Sequence, residues 1–177
     1  MPMYFLPGNH DPRDVFFRNM FPSSVGTSLR SAMNVSFTHK GIQFICIDWG
    51  SENKGVSTPA MIDHLRRSLD DNRPTIILSH HHVTPIGVHR FDQNLADDMH
   101  LFESVIRGRN VLAILAGHAH TTYETELAAI PVYGLRSTHY SFAQSGEEWC
   151  YVLRPPHYRV VTVDGDKLTS EIVEVAI

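Results

Sequence analysis

Residues 75–82 read TIILSHHH, and this short stretch determines the predicted fold. A run of apolar and β-branched residues leads directly into a serine and three histidines. A continuous apolar run of this length is typical of a strand buried on both faces, as in a parallel sheet. The histidines then lie at the carboxyl end of the strand, where open α/β sheets bind their ligands.

The same pattern occurs twice more. Residues 3–6 (MYFL) precede the turn 7–10 (PGNH), and residues 111–116 (VLAILA) precede the turn 117–120 (GHAH). If the three strands are parallel neighbours, their turns meet at one edge of the sheet. On an extended loop His118 and His120 face the same side, and Gly117 allows a sharp turn. The side chains predicted to share one cleft are Asn9, His10, His80, His118 and His120.

Helical patterns separate these strands. Thr58 is the predicted N-cap of one helix, with Pro59 in its first position. Its inward face is expected to consist of Met61, Leu65 and Leu69. A second helix is predicted from an apolar stripe that Gly108 ends, comprising Leu95, Met99, Phe102 and Ile106. A third begins at residues 11–12, with its inward face made of Phe16, Phe17 and Met20.

The last third of the chain changes to successive strands. We predict them at residues 121–127, 131–135, 148–153, 158–163 and 168–175, with a tight turn at Asp164-Gly165. They are expected to form a second, largely antiparallel sheet packed on the first. An earlier hairpin is predicted from residues 34–37 and 41–48, around Lys40-Gly41. The prediction is a single α/β domain spanning residues 1–177.

Composition narrows the function classes. A net charge of −4 and a pI near 6.3 argue against binding nucleic acid polymers through their phosphates. No apolar run is long enough to span a bilayer and the first residues do not resemble a signal peptide, so a cytoplasmic protein with no membrane partner is expected. Two cysteines, Cys46 and Cys150, are expected to be reduced thiols. The unusual feature is 12 histidines, the commonest transition-metal ligands.

The motifs at 8–11 (GNHD), 80–82 (HHH) and 117–120 (GHAH) resemble the last three motifs of the calcineurin-like metallophosphoesterases. The resemblance is greatest to the class III cyclic nucleotide phosphodiesterases. It runs from about Tyr4 to His120, and more loosely into the C-terminal strands. It implies a partial four-layer α/β/β/α sandwich that hydrolyses phosphate esters at a pair of divalent metal ions, Mn, Fe or Zn.

The resemblance also implies roles for individual residues. Asn9, His80 and His118 would bind one metal, and His120 the other. His10 would protonate the leaving group or steady the phosphoryl oxygens, and Asp11 would orient it. Asp11 could equally be a helix N-cap, and both roles can coexist. His81 and His82 are expected to line the cleft or pack rather than bind metal, and His139 is a candidate for contact with the substrate.

Two motifs of the family do not occur in this sequence: an Asp-x-His on its first strand and a Gly-Asp-x-x-Asp after its second. They would supply further ligands and the bridging carboxylate, and Asp48 is not assigned as a substitute. We therefore expect a truncated form that holds only one of the two metals and associates with itself through the bared sheet or the cleft. The alternatives are an inactive remnant that binds a nucleotide, metal or partner chain, and a histidine-rich module that only sequesters metal.

Overall fold

The computed structural model describes residues 3–21, 33–145 and 148–176. Its helices are α1 (Arg13–Met20), α2 (Pro59–Ser68), α3 (His89–Asp92) and α4 (Met99–Ile106). Its strands are β1 (Val35–His39), β2 (Ile42–Ile47), β3 (Thr75–Ser79), β4 (Val111–Ala116), β5 (Tyr123–Leu127), β6 (Ile130–Gly134), β7 (Ser141–Ser145), β8 (Glu148–Val152), β9 (His157–Asp164) and β10 (Lys167–Glu174).

A mixed six-stranded sheet holds these elements together, in the order β1-β2-β3-β4-β6-β5. The four central strands run parallel to one another, and β1 and β5 flank them antiparallel. The parallel strands β3 and β4 are adjacent, as their continuous apolar sequences predicted. The predicted α/β fold class is confirmed.

The core lies between this sheet and the helices α2 and α4. Fully buried side chains come from both layers, including Ile77, Ile114, Leu65 and Phe102. Thr58 caps α2 as predicted, because its hydroxyl accepts a hydrogen bond from the Met61 backbone N–H at 3.2 Å. This packing fixes the strand ends from which the histidine turns emerge.

Two details of the predicted helices are wrong. Met20 ends α1 with 43% of its surface exposed, because Phe21 occupies that end of the small cluster formed by Phe16 and Phe17. Leu95 lies before α4, which begins only at Met99. The spacing of apolar residues predicts which face of a helix is buried, but it does not predict the residues at which the helix begins and ends.

The predicted second sheet is also wrong in its composition. Strands β5 and β6 join the central sheet, where Val132 of β6 lies opposite Ile114 of β4. The remaining strands form two separate antiparallel pairs, β7 with β8 and β9 with β10. β7 was not predicted at all. Side-chain alternation indicates that a segment is a strand, but the partner it pairs with depends on tertiary packing.

Residues 3–6 do not form the predicted strand. Met3 is 74% exposed and Tyr4 is 52% exposed, unlike a strand covered on both faces. Tyr4 contacts β1 through its ring, which stacks on Phe37 with 3.7 Å between ring centres. An apolar run becomes a strand only where a neighbour supplies backbone partners, and in this structure the run packs through side chains instead.

Both predicted tight turns are confirmed. Lys40 and Gly41 have φ of 49° and 84° and join β1 to β2 with His39 opposite Ile42. Gly165, at φ 59°, and Asp166 join β9 to β10 with Asp164 opposite Lys167, so this turn lies one residue later than the predicted Asp164-Gly165. Residues with positive φ match the twist of a two-residue hairpin. None of the helices formed by the described residues has the length and apolar character that crossing a membrane requires.

Candidate functional site

The site is built around the carboxyl ends of β3 and β4. Ser79 and Ala116 are register partners, so His80 and Gly117 leave the sheet side by side. The Gly117 N–H donates to the His80 carbonyl oxygen at 2.9 Å and extends the pairing by one step. Two of the predicted histidine turns are therefore adjacent because of strand pairing alone.

The turn at residues 8–11 is closed by Asp11. Its Oδ2 accepts the Gly8 N–H at 2.7 Å, and its own N–H donates to the Gly8 carbonyl oxygen at 3.3 Å. Helix α1 is capped at Pro12 without a side-chain hydrogen bond, so the N-cap role considered for Asp11 is wrong. Because the carboxylate is used within the turn, Asp11 shapes the loop that carries Asn9 and His10.

Asn9 faces His80 across the cleft. The Asn9 Oδ1 lies 3.0 Å from the His80 Nε2, while the Asn9 Nδ2 donates to Asn53 Oδ1 at 2.9 Å and so fixes which way the amide points. Gly8 allows this approach, because a Cβ there would lie 2.9 Å from His80 Cε1. Only glycine leaves room for the imidazole.

His118 also contacts His80, edge to face, with 5.4 Å between ring centres. It also stacks on His81 at 4.7 Å and on His82 at 5.6 Å. His81 is 2% exposed and its Nε2 lies 2.8 Å from the Glu52 carbonyl oxygen, as expected for a packing residue. The three turns thus converge on a group of imidazoles next to one amide.

The backbone of the 117–120 turn differs from the prediction. His118 and His120 have φ of 64° and 48°, whereas the sequence predicted an extended loop turned by Gly117. The left-handed residues reverse the chain, and Ala119 between them is completely buried. Small, buried Ala119 anchors the turn, so its two histidines are directed by backbone reversal and not by alternation.

His120 lies among aromatic side chains. Its ring is 4.7 Å from that of Tyr140 and 5.2 Å from that of Phe142. The exposed His10 and His139 lie close enough to lower the pKa of His120 by repulsion, though burial contributes more. His139 was a weak candidate in the sequence, and here it contacts Tyr140 at 5.3 Å. His10 and His120 therefore border the same part of the cleft.

Burial keeps His80 and His118 neutral. Burial, followed by repulsion from His81, lowers the pKa of His80 to about 4. Burial and the neighbouring histidines lower the pKa of His118 to about 3. A neutral imidazole has a free lone pair, so both residues are in the protonation state that binds metal at neutral pH.

Asn9, His80 and His118 carry the kinds of nitrogen and oxygen atoms that one divalent ion would bind. His118 Nε2 is buried and has no hydrogen-bond partner among the described atoms, a state that is costly unless something else binds it. The Asn9 Oδ1 and the His80 Nε2 lie 3.0 Å apart, close enough that both would bind the same ion. Within residues 3–21, 33–145 and 148–176, no three His, Cys, Asp or Glu side chains are placed to hold an ion, and the ligand set that the family resemblance implies has the Asn9 amide as its third member.

Arg13 is a further residue of the site, and no sequence motif indicated it. Its guanidinium binds the Asp48 carboxylate through two hydrogen bonds of 2.8 and 2.6 Å, and both side chains are almost fully buried. Asp48 also accepts the backbone N–H groups of Met33 and Gly50. Burial would raise the pKa of Asp48, but these hydrogen bonds outweigh burial and lower it. Asp48 is thus committed to Arg13, which agrees with not assigning it as a metal bridge.

Comparison with known proteins gives the family to which these motif turns belong. The family described as calcineurin-like phosphoesterase matches residues 1–122, which include all three motif turns. The chain belongs to this family. Its members are hydrolases of phosphate esters that use divalent metals, and the match confirms the resemblance inferred from the motifs.

The individual relatives share only about a quarter of their aligned residues with this chain. The chain is 23% identical over 181 residues to a probable cyclic nucleotide phosphodiesterase of Psychrobacter arcticus, covering 96% of this chain and 65% of that protein. It is 26% identical to the 3',5'-cyclic adenosine monophosphate phosphodiesterase CpdA of Haemophilus influenzae, covering 93% and 60%. It is also 26% identical to the glycerophosphodiester phosphodiesterase GpdQ of Enterobacter lignolyticus, covering 77% and 51%. The chain spans between half and two thirds of these proteins.

Proposed function

We propose that this chain forms the larger part of a metal-dependent phosphodiesterase, with residues 1–177 contributing to a single catalytic domain. The observation that carries the proposal is the convergence of Asn9, His80 and His118, including an imidazole nitrogen that is buried and has no hydrogen-bond partner within the described part of the chain. Family membership supports phosphoester hydrolysis, and the names of the relatives support a small diester substrate such as a cyclic nucleotide. They favour the enzyme over an inactive remnant.

In this proposal Asn9 would offer its amide oxygen, and His80 and His118 neutral imidazole nitrogens, to one ion, and His120 would serve the second ion of the complete family site. When bound, the ions supply a water that is nucleophilic near neutral pH and positive charge for the phosphoryl oxygens. His10 is exposed at the rim and can give a proton to the leaving oxygen. Asp11 holds the loop of His10 through the Gly8 N–H.

The test is hydrolysis of bis(p-nitrophenyl) phosphate and of cyclic AMP with Mn²⁺, Fe²⁺ or Zn²⁺, against a control in EDTA. We expect metal-dependent release of p-nitrophenol that EDTA abolishes and added metal restores. Because the relatives are longer, the assay should include a version extended by any continuous reading frame upstream of Met1. If both versions are inert with each metal, the enzymatic proposal is wrong.

We also propose that the chain associates with itself. Met3 and Tyr4 expose apolar surface beside the edge strand β1, whose outer side has no strand partner in the described sheet. An exposed strand edge next to apolar side chains favours pairing with a second copy. Light scattering on the purified chain should give a mass above the monomer that rises with concentration, and Tyr4→Ser should reduce it. A monodisperse monomer that melts cooperatively would contradict this.

A further inference from the structure

Arg13 begins helix α1, and its guanidinium uses all of its hydrogen-bonding capacity. Nε and Nη2 bind the two Asp48 oxygens, and Nη2 also donates to the Gly50 carbonyl oxygen at 2.7 Å. Nη1 donates to the carbonyl oxygens of Gly8 at 2.8 Å and Asp11 at 2.6 Å. These bonds account for the five N–H donors that an arginine carries.

The bonds join two separate parts of the protein. Gly8 and Asp11 are the first and last residues of the turn that carries Asn9. Asp48 and Gly50 lie within the three residues after β2, the parallel neighbour of strand β3, which His80 follows. The guanidinium therefore fixes the distance between the Asn9 turn and the edge of the sheet. Since residues 3–6 are not a strand, no strand pairing anchors the turn from that side.

We infer that Arg13 is a positioning residue that holds the Asn9 amide oxygen against His80, and so sets the metal affinity of the site. The inference rests on the proposed function and adds to it a residue that does not touch the metal. Lysine cannot replace it, because an ammonium group has three donors and no planar fork. Groups that support metal ligands in this way affect affinity about 10- to 100-fold when they are removed.

Removing Arg13 alone would leave the Asp48 carboxylate buried and unpaired, which could prevent folding. The variant to use is therefore Arg13→Gln combined with Asp48→Asn, which removes both charges together. Arg66→Ala is the matched control, since Arg66 forms an exposed ion pair with Asp63 within one helix turn. Asn9→Ala, alone and combined with the Arg13 and Asp48 changes, completes a double-mutant cycle.

The first readout needs no metal. In NMR spectra of the ¹⁵N-labelled double variant, the side-chain amide signals of Asn9 should move towards solvent-exposed values. Hydrogen exchange of the Gly8 backbone amide should become at least about tenfold faster, while the amides of α2 stay unchanged. Arg66→Ala should change none of these signals. Unchanged Asn9 and Gly8 signals in the double variant would overturn the inference whether or not the protein binds metal.

The second readout is Co²⁺ affinity, followed by visible absorption. We expect the double variant to bind Co²⁺ about 10- to 100-fold more weakly than the unaltered chain. Adding Asn9→Ala should cause little further loss, because Arg13 acts through Asn9. Fully additive losses would show a merely structural role and overturn the inference. If the unaltered chain does not bind Co²⁺, the proposed metal site fails, and the amide readout still decides the role of Arg13.

Discussion

His118→Ala is expected to weaken binding of a divalent metal at least about 100-fold, and to reduce metal-stimulated phosphodiester hydrolysis by at least as much. Removing a group that only supports a ligand already costs 10- to 100-fold, so removing the ligand itself should cost more. The structural reason is the His118 Nε2, which is buried and lacks a partner among the described atoms. Its pKa of about 3 keeps it neutral and able to bind.

The same substitution should change the stability of the metal-free protein much less. The ring packs against His81, His82 and Phe91, and losing those contacts destabilises the fold. Removing a buried polar atom without a partner has the opposite effect, about 1–3 kcal/mol. Co²⁺ titration, hydrolysis of bis(p-nitrophenyl) phosphate with Mn²⁺ and thermal unfolding in EDTA separate the two effects. His100→Ala, at an exposed position of α4, is the control.

A particular outcome would contradict the role of His118. If His118→Ala binds Co²⁺ within about threefold of the unaltered protein, the residue does not bind the metal. If binding falls but saturating Mn²⁺ restores full hydrolysis, His118 contributes affinity only, as a ligand remote from the reacting phosphate would. Both results would leave the family assignment intact, because it rests on the whole of residues 1–122.

The metal-free protein is expected to lose stability steeply between pH 6.5 and 5. The pKa of His80 falls to about 4 and that of His118 to about 3, against about 6.5 in an unfolded chain. In this pH range the unfolded chain binds more protons than the folded one, so the free energy of unfolding decreases as pH falls. Each histidine contributes up to about 1.4 kcal/mol per pH unit, and the two together up to about 4 kcal/mol.

The Asp48 carboxylate titrates at lower pH and does not contribute to this slope. The pKa of Asp48 is lowered, so its stabilising effect is complete above about pH 4 and is lost only below it. Urea unfolding in EDTA at pH 7, 6 and 5 measures the slope directly. His118→Phe keeps a ring in the stack but removes one titrating group, and should make the slope shallower, whereas His100→Phe should not. A free energy of unfolding that is constant from pH 7 to 5 would show that these imidazoles are not held neutral.

The sequence was sufficient for the family, for the fold class and for several local elements. The runs TIILS and VLAILA gave two adjacent parallel strands because residues apolar throughout must be buried on both faces. Lys40-Gly41 and Asp164-Gly165 gave the two hairpins, since turn geometry depends on few residues. The motif histidines indicated where the site lies, because the residues that follow neighbouring parallel strands lie at the same edge of the sheet.

Tertiary structure decided everything that depends on partners distant in the chain. MYFL at residues 3–6 resembles a buried strand but packs through the Tyr4 ring, and strands β5 and β6 joined the first sheet instead of a second one. Arg13 gave no signal in the sequence, because its partner Asp48 lies 35 residues away and a salt bridge has no periodicity. Local sequence sets backbone preference and burial, whereas pairing between segments is chosen by the free energy of the whole packed chain.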